Sequence, residues 1–101
     1  MDPAKPDIMI SDVVISTTGR DRDRIFYVVG VEEPYLMLAN GKDRTLEQPK
    51  RKKRKHIAMV LRSETRVANK LRKGDKVLNS ELRRDLAVLS RDMQSNGLGG
   101  L

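Results

Sequence analysis

Residues 50–56 read KRKKRKH, six consecutive cations and then the chain's one histidine, with the apolar segment IAMVL following directly. Lysine and arginine are almost never buried unpaired, and like-charged neighbours repel, so the run is expected to be solvated or to face an anion. The chemistry open to such residues is neutralisation of phosphates. Each contact releases condensed counterions, which gives affinity that tolerates sequence and falls steeply with salt. Further along, Arg62, Arg66, Lys70 and Lys73 recur at intervals of four, four and three. On a helix that spacing aligns them in one stripe and prolongs the basic face. Residues 50–73 together hold eleven Lys or Arg and one Glu, a local +10 in a chain of +7, so the remainder is net negative.

A second basic constellation is TGRDRDR, residues 18–24, in which Arg20, Arg22 and Arg24 alternate with Asp21 and Asp23. The acids would neutralise a turn that merely faced water. A guanidinium projected from a tight turn, which Gly19 permits, is equally suited to bidentate contact with phosphate or guanine. Catalysis has little to build on, because it needs a tuned nucleophile or base with partners, and the chain has one histidine and no cysteine. No enzyme activity, metal, cofactor or small-molecule substrate is expected. His56, between Lys55 and Ile57, is read as a ring at the rim of the fold with its polar edge outward, with direct ligand contact as the alternative. The aromatics are Phe26, Tyr27 and Tyr35, and the first two lie in the segment best suited to a core. The expectation is therefore phosphate and shape recognition of folded, duplex-rich nucleic acid rather than stacking on unpaired bases.

A membrane surface is the rival polyanion. It usually calls for an apolar wedge or a lipidated residue, and the chain has no Trp, no Cys and no Gly after Met1. No apolar run reaches the roughly 18 residues of a membrane span, and the start, MDPAKPDIMIS, lacks the basic and apolar regions of a signal peptide. A soluble, cytoplasmic protein is expected. The run KRKKRK also has the composition of a nuclear import signal, and the sequence names no compartment.

The elements that must position these residues read as strands first. DVVIS, IFYVVGV and YLMLA are β-branched or aromatic runs separated by turn-forming residues. In the second of them Ile25, Tyr27, Val29 and Val31 share one face and Phe26 and Val28 the other, so both faces are apolar, as in a small closed barrel. Asn40-Gly41 is a strong hairpin signal, which places a returning strand at 44–47, and HIAMVL supplies a fifth strand. After Leu61 the period changes to about 3.6. Ser63 is the expected N-cap of a helix that ends at Gly74, and a second helix is expected from Asn79 or Ser80 with the stripe Leu82, Leu86, Leu89 and Met93. The organisation expected is a loose leader over 1–10, a barrel over 11–61, a helical hairpin extension over 62–93 and a glycine-rich flexible tail over 94–101.

The stretch from DVVIS through TTGRDRDRIFYVVGV resembles a KOW motif, a strand, a Gly-basic-acidic turn and a β-branched strand in an SH3-like barrel. The continuation YLMLANGKDRTLEQPKRKKRKHIAMV is similar to the rest of that barrel in KOW-containing large-subunit ribosomal proteins of archaeal and eukaryotic type and their short bacterial relatives. The resemblance covers residues 11–61. It implies a small barrel of about five strands, RNA binding, and association with ribosomal RNA and the large ribosomal subunit. It also implies that the Gly19-Arg20-Asp21 turn and the segment Lys50, Arg51, Lys52, Lys53, Arg54, Lys55 and His56 lie on the RNA side. The family turn usually carries a second glycine where this chain has Asp23, so either Asp23 takes a left-handed conformation or the turn has a different shape.

The fold class expected is mainly β with two C-terminal helices. The function expected is non-catalytic RNA binding through Gly19, Arg20, Arg22, Arg24, the basic run with His56, and Arg62, Arg66 and Lys70. Two alternatives use the helices. In the first, they form a DNA-binding pair with Arg83, Arg84 and Arg91 toward the major groove. GDKVLN is longer than the usual turn of such a pair, and the charge after Gly74 sums to zero. In the second, the Leu82, Leu86, Leu89 and Met93 stripe docks onto a partner protein.

Overall fold

The computed structural model describes residues 7–96; the first six residues of the expected leader and residues 97–101 of the expected tail lie outside the described residues. Five strands, β1 (Asp12–Ser16), β2 (Ile25–Glu32), β3 (Tyr35–Ala39), β4 (Lys50–Lys53) and β5 (Ile57–Arg62), precede two helices, α1 (Arg66–Lys73) and α2 (Asn79–Asn96). The strands form one antiparallel sheet in the order β4-β3-β2-β1-β5. A single 3-10 turn, Arg54–His56, joins β4 to β5.

The doubly apolar character of β2 has two separate causes. Phe26 and Val28 on one face cluster with Ile8, Val14, Leu36, Leu38 and Ile57. Tyr27 on the other joins Val13 and Ala39 beneath Val67 and Ala68 of α1 and Leu82 and Leu86 of α2. The second apolar face thus exists to receive the helices. Ile8, within the expected leader, is 8% exposed in the first of these clusters. Register shifts at Val13/Val14 and between Val28 and Gly30 bend the sheet, as extra residues in a ladder do.

The expected returning strand at 44–47 is a correction. Those residues lie in a loop, and the fourth strand is the basic run itself, with Lys50 opposite Leu38 and Lys53 opposite Tyr35. Lysine is depleted in strands as a class, yet here the cross-strand partners set the conformation. Asn40-Gly41 accordingly makes no two-residue hairpin. The Asn40 side chain accepts the backbone N–H groups of Lys42 and Arg44 at 2.9 and 3.1 Å, the local bonding that lets Asn compete with a ladder. Gly41, at φ +77, sits where an added Cβ would lie 2.1 Å from the Asn79 carbonyl oxygen, so the loop meets the start of α2 through a glycine. Asn79 completes that joint, accepting from Leu46 N–H and donating to Glu47, each at 2.8 Å.

Helix α1 starts later than expected. Thr65 is its N-cap and accepts from Ala68 N–H, while Gly74 in the left-handed conformation ends it. Ser63 is buried instead and lies 3.0 Å from the Tyr27 hydroxyl. That hydroxyl donates to Asp85 at 2.8 Å, Thr65 donates to the same carboxylate oxygen at 2.7 Å, and β2, α1 and α2 are thereby tied into one polar joint. Burial raises the Tyr27 pKa, and the negative charge of Asp85 adds to it.

Candidate nucleic-acid interface

The turn between β1 and β2 is built by backbone bonds that return the chain on itself. Asp23 N–H donates to the Ser16 carbonyl at 2.8 Å and Ser16 N–H to the Arg24 carbonyl at 3.0 Å. Gly19 has φ +83 and Asp23 φ +71, so the left-handed position usually held by glycine is here taken by Asp, a residue that tolerates it. Arg20 and Arg22 project from this turn, exposed, and neither forms an ion pair among the described residues.

Asp21 points the other way. It is buried, and its Oδ1 accepts from Lys52 Nζ at 2.6 Å and Ser16 Oγ at 2.8 Å, while Lys50 Nζ stands 3.3 Å from Oδ2. Burial pushes the carboxyl up, but hydrogen bonds from Lys52 and Ser16 and the positive charge of Lys50 outweigh it and bring the pKa down to about 2. Lys52 also donates to the Thr18 carbonyl at 2.6 Å. The expectation that all six cations are solvated or face an external anion is therefore corrected: Lys52 is only 8% exposed. It is neutralised from within, which is the condition on which a lysine is buried.

Strand alternation sorts the rest of the run. Lys50 and Lys52 share the face of Leu36 and Leu38, their direct partners, whereas Arg51 and Lys53 share the face of Met37 and Tyr35. Arg51 lies over the Tyr35 ring, 4.0 Å from its centroid. Arg54 pairs with Glu33, holding that carboxyl below its usual range, and also donates to the Ile8 carbonyl at 2.9 Å. Lys53 and Lys55 are exposed and form no ion pair among the described residues. His56 is partly exposed at the end of the 3-10 turn, and its carbonyl accepts Thr17 N–H at 3.0 Å. Two contacts, Lys52 with Asp21 and Thr17 with His56, therefore join the turn between β1 and β2 to the basic run.

Other expected residues are elsewhere or already engaged. Arg24 makes a two-pronged pair with Asp43 at 2.6 and 2.9 Å. Asn40 and Arg24 together lower the Asp43 pKa to about 2. The stripe Arg62, Arg66, Lys70 and Lys73 is not one helix face, because Thr65 caps the helix and leaves Arg62 as the last residue of β5. Arg62 is held by Asp12 at 3.1 Å, which raises its pKa, and stands five residues from Ile57, about 16 Å along a strand. Lys70 pairs with Glu81 at 3.0 Å, and Leu78 N–H and Lys70 together lower the Glu81 pKa. Arg66 is exposed. The turn meets the basic run at Lys50, Lys52 and His56, while Arg66 and Lys70 belong to α1.

The contact of Arg51 with the Tyr35 ring and the Arg24–Asp43 pair were missed from the sequence. Period-two alternation along KRKK would have found the first had the run been read as a strand; no local pattern signals the second. Among the described residues no cluster of His, Cys, Asp and Glu could hold a metal, and no helix is long and apolar enough to cross a membrane. No protein-family model matches the chain, and no curated protein sequence matches it.

Proposed function

We propose that this protein is a non-catalytic RNA-binding module of KOW type that docks on ribosomal RNA in the large subunit through Arg20, Arg22, Lys53, Lys55 and His56. The observation that carries the reading is the internal neutralisation of Asp21. With the turn's buried acid taken up by Lys50 and Lys52, Asp23 is the one acid the turn exposes, and Arg20, Arg22, Lys53 and Lys55, in no ion pair among the described residues, are available to phosphates.

The SH3-like reading of the sheet draws support from the antiparallel order β4-β3-β2-β1-β5 and from a core face whose side chains from β1, β2, β3 and β5 cluster without a covering helix. The resemblance of residues 11–61 to KOW-containing ribosomal proteins supplies the RNA and the subunit. Docking through the Leu82 stripe is disfavoured, since Leu82 and Leu86 are buried within the chain. DNA reading by α2 is disfavoured as well, because Arg83 is bonded to the Gly41 carbonyl at 2.5 Å.

Ultraviolet crosslinking in the source cells, beside ribosome sedimentation at low and high salt, tests the assignment. Crosslinks concentrated at one ribosomal RNA site, with salt-sensitive co-sedimentation with large subunits, are expected. Crosslinks scattered over messenger and transfer RNA with no ribosomal fraction would contradict it.

A further inference from the structure

Directly opposed residues in a sheet project from the same face. Tyr35 faces Glu32 on one side and Lys53 on the other, and Met37 faces Gly30 and Arg51. These positions make one surface of β2, β3 and β4, continuing the face on which Ala39 meets the helices. Tyr35 and Met37 belong to neither core cluster and are partly exposed. Gly30 adds no side chain beside Met37, so the face stays low around the tyrosine.

On this face the Arg51 guanidinium lies over the Tyr35 ring, its central carbon 4.0 Å from the centroid, well within the reach of a cation–π contact. The side chain is 56% exposed, and its ion-pair partner, Glu32, stands off at 3.8 Å from Nε. A planar cation held over an aromatic ring, with more than half of its side chain exposed, can serve as a platform for an unpaired base, since bases stack on arginine planes as they do on aromatic rings. Lys53, across the strand pair from Tyr35 and without an ion pair among the described residues, stands beside it to meet a phosphate.

We propose that the Tyr35–Arg51 pair seats one unpaired nucleobase, bulged or single-stranded, of the RNA bound by the adjoining basic surface. The proposal rests on the RNA-binding reading and adds to it a preference that phosphate contacts alone do not give.

The test compares two RNA hairpins with identical backbones, one carrying a single bulged adenosine and the other an abasic residue at that place, titrated by fluorescence anisotropy. The full-length protein is expected to bind the base-bearing hairpin about tenfold more tightly, the order of one base–aromatic stack. Arg51→Lys keeps the charge and loses the plane, so it is expected to abolish that preference while binding the abasic hairpin within about twofold of the parent. Tyr35→Ala, checked for folding by circular dichroism, should do the same, and Tyr35→Phe should retain the preference. Equal affinity for the two hairpins, or a preference that survives Arg51→Lys, overturns the stacking site and leaves phosphate binding standing. Absence of binding to either hairpin at low salt overturns the RNA reading, and this site with it.

Discussion

Lys52 and Asp21 show how a cation in a dense basic run comes to be buried: the charge is answered inside the molecule by a carboxylate thirty-one residues away. Removing one partner of such a pair costs more than the pair contributes, since the other charge is left desolvated. Lys52→Ala is expected to destabilise the fold by about 3 kcal/mol, at the low end for a buried pair because Lys50 still faces Asp21; urea unfolding measures it. The pair also sets an acid limit. The Asp21 pKa falls from 3.8 to about 2 on folding, so its contribution is complete above about pH 4 and is lost as pH drops through about 2, on the order of 2 kcal/mol in all. Asp43 shifts in the same direction, but its side chain is 47% exposed and solvent screens most of the effect. In an acid titration of stability, Asp21→Asn should therefore flatten the slope between about pH 4 and pH 2 far more than Asp43→Asn does. None of this was legible locally. The turn's Gly-Arg-Asp pattern is visible in the sequence, whereas which lysine meets the aspartate depends on strand register.

At the scale of elements, the β-branched, aromatic or apolar runs at β1, β2, β3 and β5 and the glycine stop of α1 were legible because local preference and tertiary packing agree there. β4 was not. Four consecutive cations have no strand signature of their own, and the strand exists because β3 offers Tyr35, Leu36, Met37 and Leu38 as partners. Ser63 likewise looks like a cap, but the buried Tyr27 hydroxyl competes for it and the cap passes to Thr65. Two substitutions test these joints. Gly41→Ala combines a left-handed backbone with a Cβ driven into the Asn79 carbonyl. It should cost more than about 2 kcal/mol and loosen the start of α2, read as faster amide exchange over its first turns. Tyr27→Phe removes the hydroxyl shared by Ser63, Thr65 and Asp85 and should cost about 1–3 kcal/mol in thermal or urea unfolding, with the sheet intact by circular dichroism.

For the whole molecule, the net +7 overstates the binding surface. Lys52 is buried, and Arg24, Arg54, Arg62 and Lys70 are paired with acids. Charge counting along the chain found the basic region but not which of its cations are already paired, because ion pairs between distant segments leave no mark on composition. The measurement that bears most directly on the account is the salt dependence of affinity for a structured RNA, for the parent and for the combined variant Arg20→Ala, Arg22→Ala, Lys53→Ala and Lys55→Ala, beside Arg66→Ala. With phosphates at the turn and run, the combined variant should lower the slope of log affinity against log salt by about 3 to 4, close to one for each lost contact, while Arg66→Ala leaves it nearly unchanged. An unchanged slope in a folded combined variant, or a loss confined to Arg66→Ala, would contradict the assignment of the RNA surface to the turn and the end of the basic run.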